Sequence, residues 1–89
     1  MIEAIQIELI DGCNHKVKDE VRTFIAMNGL GTPIPVKAKK NGRYTILAAH
    51  ANLAAVRSLV ASGGLVWDKD ANEMRPATEV YSKIQAEVR

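Results

Sequence analysis

Apolar and polar positions alternate at the start of the chain. Between Ile2 and Ile10, the apolar residues Ile5, Ile7 and Leu9 are separated by Gln6 and Glu8. A period of two predicts a strand with one buried face, ended by Asp11-Gly12. From His15 to Asn28 the period lengthens. Val17, Val21, Phe24, Ile25 and Asn28 fall at helical spacing, and Lys16, Lys18, Asp19, Glu20 and Arg22 fall mostly on the other side. Asn14 is the predicted N-cap and Gly29 the predicted C′ residue.

After the sharp turn Gly29-Leu-Gly-Thr-Pro33, Ile34 to Lys37 reads as a short strand, and Pro35 within it points to a sheet edge. Lys39-Lys40-Asn41-Gly42 is a hairpin signal, with Arg43 to Leu47 as the return strand. Ala48 to Ala61 holds six alanines with Leu53, Val56, Leu59 and Val60, which predicts a closely packed helix stopped by Ser62-Gly63-Gly64. Leu65 to Trp67 is a small strand or a packed loop, and Asp68 to Pro76 reads as polar and irregular. Val80, Ile84 and Val88 then form one face of a predicted final helix over residues 78–88. The order is strand, helix, hairpin, helix, short strand, helix. It predicts an α/β or α+β domain with a small mixed sheet and three helices.

Composition narrows the class. A chain of 89 residues supports one domain, expected to span 1–89, and a hydrophobic share of 47% is that of a globular chain. No apolar run has membrane-span length, and Met1 to Leu9 carries Glu3 and Glu8 instead of a basic leader. A cytoplasmic protein is expected, without membrane contact. The single cysteine, Cys13, excludes an internal disulfide and a cysteine-rich zinc site. A net charge of +2 is too balanced to indicate nucleic-acid binding by itself.

The segments "NGLGTPIPVK" and "GRYTILAAHANLAAVRSLVASG" carry a resemblance. Their order resembles the N-terminal domain of the ParB family and its structural cousin sulfiredoxin, over roughly Ile5 to Gly64. The family pattern is a helix ending G-L-x-x-P-I-x-V, a hairpin ending Y-x-L-I-x-G-E-R-R, and a following helix. The resemblance implies the ParB/sulfiredoxin-like fold, with a nucleotide-contacting motif at that helix start. The slots of G-E-R-R are filled here by Ala48, Ala49, His50 and Ala51. Both arginines are replaced, the sulfiredoxin nucleophile position is Ala49, and only His50 matches that signature. Thr32 is the polar residue before the motif proline. A full ParB protein places a DNA-reading domain after this one, and none is expected within these 89 residues.

Four sites come forward. Thr32, Ala48, Ala49 and His50 mark a degenerate phosphate or nucleotide site, since free N–H groups at a helix start attract anions. The other reading is that the alanines pack against the sheet. His50 has no acid or cysteine companion within the motif, so it reads as a cap or surface group. Lys37, Lys39, Lys40 and Arg43 form the densest run of charge, with no acid among them. They could touch nucleic-acid phosphates or an acidic protein surface, or be solvated lysines that guard an edge strand. Cys13 near His15 lacks an orienting acid for nucleophilic catalysis. Trp67 is partly buried or an interface anchor.

The expected function is a small non-catalytic ParB-like module of plasmid or phage type. It would associate with nucleic acid, or with a nucleic-acid-handling complex, through the basic hairpin. The alternative is a protein-binding accessory factor or inhibitor that kept the fold and lost nucleotide binding. A nuclease, ATPase or CTPase is the weakest reading, for want of an acid cluster, a cysteine nucleophile and an arginine fork. No cofactor, metal or catalytic residue is expected, and the oligomeric state stays open.

Overall fold

The computed structural model describes residues 1–89. The strands are β1 (Ile2–Gln6), β2 (Ile10–Asp11), β3 (Ile34–Ala38), β4 (Tyr44–Ile46), β5 (Leu65–Asp68), β6 (Glu73–Pro76) and β7 (Lys83–Val88). The helices are α1 (Asp19–Asn28), α2 (His50–Ser62) and the single turn α3 (Ala77–Val80). Five strands form a mixed sheet in the order β1-β7-β3-β4-β2, and β5 and β6 form a separate hairpin. No helix is long and apolar enough to cross a membrane.

The first strand is broken by a 3-10 turn at Ile7–Leu9, because one piece of chain serves both sheet edges. Four residues span at most about 14 Å, whereas four flat strand spacings span about 19 Å. The sheet therefore curls until its edges are one turn of chain apart. Ile5 and Ile10 enter the core, and Ile7 and Leu9 only flank it. One sheet face supplies Ile34, Val36, Ile46, Ile84 and Ala86 to the core, to which the helices add Ile25, Leu53, Val56 and Leu59, the β5–β6 hairpin adds Val66, and Ala77 and Tyr81 close the cluster before β7.

Four further expectations are corrected. Helix α1 starts at Asp19 instead of His15, and no side chain caps it. Starting at His15 would set Lys16 and Lys18 against the positive end of the helix dipole, whereas Asp19 and Glu20 favour that end. Val17 lies outside the helix, and Phe24 faces solvent.

Strand β3 is central, not an edge, despite Pro35. Val36 pairs with Ile46, the last residue of β4, so Pro35 falls opposite Leu47. The Pro35 carbonyl accepts the Leu47 N–H at 2.9 Å. The missing proline N–H thus points where β4 has already ended.

Residues 68–76, expected to be irregular, form a hairpin of β5 with β6. Its turn is tied by Asp68 Oδ1, which accepts the Asp70 N–H at 3.0 Å. The predicted helix over 78–88 is only the turn α3 followed by β7, which pairs antiparallel with β1 and parallel with β3. Val80, Ile84 and Val88 fit a helical face, but Ile84, Ala86 and Val88 equally fit a strand face. Sheet pairing on both sides decides between them.

Gly29 and Ala49 flank helices in positive-φ conformations that only the glycine adopts without strain. Gly29 closes α1 at φ 79° and ψ 177°, a region essentially restricted to glycine, and its N–H bonds the Ile25 carbonyl. A Cβ there would meet Tyr81 Oη at 3.7 Å and Lys69 Cε at 3.8 Å, which is ordinary contact, so the penalty lies in the backbone. Ala49, the residue before α2, is left-handed at φ 62°. We expect Gly29→Ala to destabilise the fold by about 1–3 kcal/mol. We expect Ala49→Gly to stabilise it by about 0.5–1 kcal/mol, the relieved strain exceeding the added chain entropy. Urea midpoints at unchanged slope measure both.

Candidate functional site

The basic hairpin joins β3 to β4 through a three-residue loop. The Lys39 N–H bonds the Arg43 carbonyl at 2.8 Å, and Gly42 takes φ 80°. This is the three-residue loop with glycine in the left-handed position, not the two-residue Asn-Gly turn. The Asn41 side-chain oxygen accepts the Arg43 N–H at 3.1 Å and ties the loop to itself.

An acid from elsewhere in the chain opposes the cluster. Strand β2 pairs in parallel with β4 and sets Asp11 opposite Thr45. Asp11 Oδ1 accepts Arg43 Nη2 at 2.7 Å, and Oδ2 accepts Arg43 Nε and Lys39 Nζ, each at 2.8 Å. Arg43 Nη2 also donates to the Glu8 carbonyl at 2.8 Å. The fork of Arg43 thus engages the carboxylate through two nitrogens. These bonds hold the Asp11 carboxyl well below the usual carboxylate range, Arg43 contributing most and Lys39 next. The Arg43 guanidinium is raised in turn, chiefly by its hydrogen bond to Asp11.

Two of the four basic residues are therefore matched, and the cluster is not unopposed. Lys37 and Lys40 are exposed and make no ion pair. The sheet adds a fifth cation. The Arg89 N–H bonds the Val36 carbonyl at 2.9 Å, so Arg89 follows β7 alongside Lys37. Arg89 Nε pairs with Glu87 Oε1 at 3.2 Å, both at the surface. Lys37, Lys39, Lys40, Arg43 and Arg89 thus share one end of the sheet with Asp11 and Glu87. Asp11 was legible only as a turn residue, and Arg89 was hidden by the helical assignment of the last segment.

The second candidate lies where β4 leads into α2. The hydrogen bond of Leu47 to Pro35 runs the approach to α2 beside the start of β3, with Ala48 the next residue after Leu47 and Thr32 three residues before Pro35. Thr32 and Ala48 are exposed, and Ala49 and His50 are half-buried. Ala49 packs on the edge of the core. Its carbonyl takes the Asn52 and Leu53 N–H groups at 3.1 and 3.2 Å. The His50 carbonyl accepts the Cys13 thiol at 3.3 Å, so Cys13 meets the backbone of His50 and not the His15 ring. The arginines of α1 and α2 are engaged elsewhere. Arg22 Nη1 donates to Ser58 Oγ at 3.2 Å, and Arg57 Nη2 donates to the carbonyls of Ile7 and Ile10. Three surface clefts exist, and none is lined by Thr32, Ala48, Ala49 or His50. No three His, Cys, Asp or Glu side chains gather where they could hold a metal ion. Trp67 is half-buried on β5.

The Asp11 clamp has a pH signature. Its folded-state pKa is depressed, so its stabilisation is complete above the unfolded carboxylate range, about pH 4, and is lost as pH falls toward the folded value. We expect the Asp11 side-chain resonance to remain that of a carboxylate at about pH 3. Stability between about pH 4 and pH 2 should fall less steeply in Asp11→Asn than in the native chain. Carbon-detected NMR and acid denaturation measure the two.

No protein-family model matches the chain, and no curated protein matches it. Among solved structures it is similar to the C-terminally truncated chromosome-partitioning protein ParB from Caulobacter crescentus, complexed with CTP-gamma-S. The TM-score is 0.63 at 15% sequence identity. The match covers 100% of this chain and 44% of that one, so the chain spans less than half the length of the protein it resembles. At that identity the likeness shows the fold alone. The mixed sheet and three helices are those of a ParB-like domain.

Proposed function

We propose that this chain is a ParB-like module that associates with nucleic acid through the basic end of its sheet, and that it performs no catalysis. The observation that carries the proposal is the pair Lys37 and Lys40, exposed and without ion pairs, on a hairpin held in place by its other two cations. Arg89 extends the same surface from β7. Phosphates need cations that are exposed and positioned, and the Arg43–Asp11–Lys39 clamp supplies the positioning. The clamp residues are structural in this reading, while Lys37, Lys40 and Arg89 engage the phosphates.

The similarity to a protein complexed with a CTP analogue does not extend this reading to nucleotide. The slots where the family motif has arginines hold His50 and Ala51, and Arg22 and Arg57 are bonded away from them. Without a guanidinium fork, the helix start offers only backbone N–H groups to a triphosphate.

One observation favours a protein partner instead. Phe24 and Met27 stand one turn apart on α1 and are 62% and 59% exposed. In that second reading α1 docks on a partner, and the basic hairpin is a solvated tip.

Binding to a short random-sequence DNA duplex separates the two. We expect Lys37→Glu with Lys40→Glu to weaken binding and to flatten the log–log salt slope by about 0.9 for each phosphate that is no longer neutralised. Stability should change by no more than about 0.5 kcal/mol. Binding that ignores the double variant would refute the nucleic-acid reading. For Mg-CTP and Mg-ATP, calorimetry is expected to show no dissociation constant below about 100 µM, equivalent to about −5.5 kcal/mol.

A further inference from the structure

Backbone bonding along β1 alternates between its two sides. The Met1 carbonyl accepts the Val88 N–H at 2.8 Å, and the Ile7 N–H bonds the Ser82 carbonyl at 3.3 Å. Glu3 pairs with Ala86 and Ile5 with Ile84 in the same antiparallel register. The odd-numbered residues therefore turn their N–H and C=O groups toward β7. Ile2, Ala4 and Gln6 turn theirs the other way, where the sheet has no further strand. All three residues are exposed. The strand contains no lysine or proline, and Glu3 is its only charge, so the devices that blunt an edge are nearly absent.

We propose that this edge pairs antiparallel with β1 of a second copy of the chain, about a twofold axis through Ala4. In that register Ile2 faces Gln6 of the second copy, and Ala4 faces its own counterpart. Every outward N–H and C=O of the three residues then has a partner. The same register explains a second feature. Met1, 82% exposed, comes to stand opposite Ile7 of the other copy. Ile7 and Val60 are the apolar lining of the largest cleft, about 490 Å³, at the end of β1. Met1 and Ile7 share the alternation of Ile5, whose side chain is buried on the helix side, where Val60 of α2 lies. The methionine of each copy thus meets the cleft of the other. Both contacts occur twice, as an isologous interface requires. The inference is independent of the nucleic-acid reading.

Sedimentation velocity over a wide concentration range tests it. The native chain should form a dimer. Ala4→Pro removes an N–H that makes no bond to β7, so it should keep the circular dichroism spectrum and raise the dimer dissociation constant at least about tenfold. A crosslinking variant decides the register even if the proline variant fails to fold. In a Cys13→Ser background, Ala4→Cys should oxidise to a covalent dimer. The two Cα atoms of such a hydrogen-bonded pair lie about 5.5 Å apart, within disulfide reach. Ile2→Cys should not crosslink, because the two copies of Ile2 stand at opposite ends of the ladder. A native chain that stays monomeric overturns the proposal. So does a dimer that survives in folded Ala4→Pro, or crosslinking through Ile2→Cys as readily as through Ala4→Cys.

Discussion

The structure depends on where its last strand goes. Strand β7 lies between β1 and β3, antiparallel to the first and parallel to the second. No other strand pairs with β1. Through β7 the two ends of the chain meet, with Met1 bonded to Val88. The strand also places Ile84 and Ala86 in the core, and full burial of an isoleucine is worth about 1.5–3 kcal/mol. The single turn α3 buries Ala77 in the core and turns the chain into β7.

The same placement builds the basic end of the sheet. Arg89 reaches Lys37 only because β7 runs parallel to β3, and Asp11 reaches Arg43 only because β2 runs parallel to β4. One carboxylate holds two cations, and two lysines remain free. Exposed ion pairs contribute little to stability as a rule. This one matters for geometry, since Asp11, Arg43, Lys39 and the Glu8 carbonyl fix the hairpin against the adjoining edge strand β2 and the turn before it. A hairpin held in this way presents Lys37 and Lys40 in a constant orientation.

The sequence made some of this legible. Gly29, Gly42 and Gly63 marked their turns because each occupies a positive-φ position. The alanine-rich α2 was clear from propensity, and the hairpin from Asn-Gly chemistry. The spacing of G-L-x-x-P-I-x-V led to the ParB-like fold that the structural likeness shows. What was not legible came from tertiary choice. The segment of Ile84, Ala86 and Val88 satisfies both periods, and only the neighbours β1 and β3 select the strand. Pro35 looked like an edge residue because the end of β4 is set by pairing and not by local sequence. The site suffered most from this. Four cations without a local acid appeared unopposed, and the acid that opposes two of them lies on β2, between 28 and 32 residues away.

On the proposed nucleic-acid reading, Lys37, Lys40 and Arg89 act as one surface made by the sheet. Backbone amide shifts recorded while a short DNA duplex is added test it most directly. The amides of Lys37, Lys40 and Arg89 should move together and saturably, and added salt should reverse the change. Shifts confined to α1 around Phe24 and Met27, or a shift at the hairpin that leaves Arg89 unmoved, would contradict it.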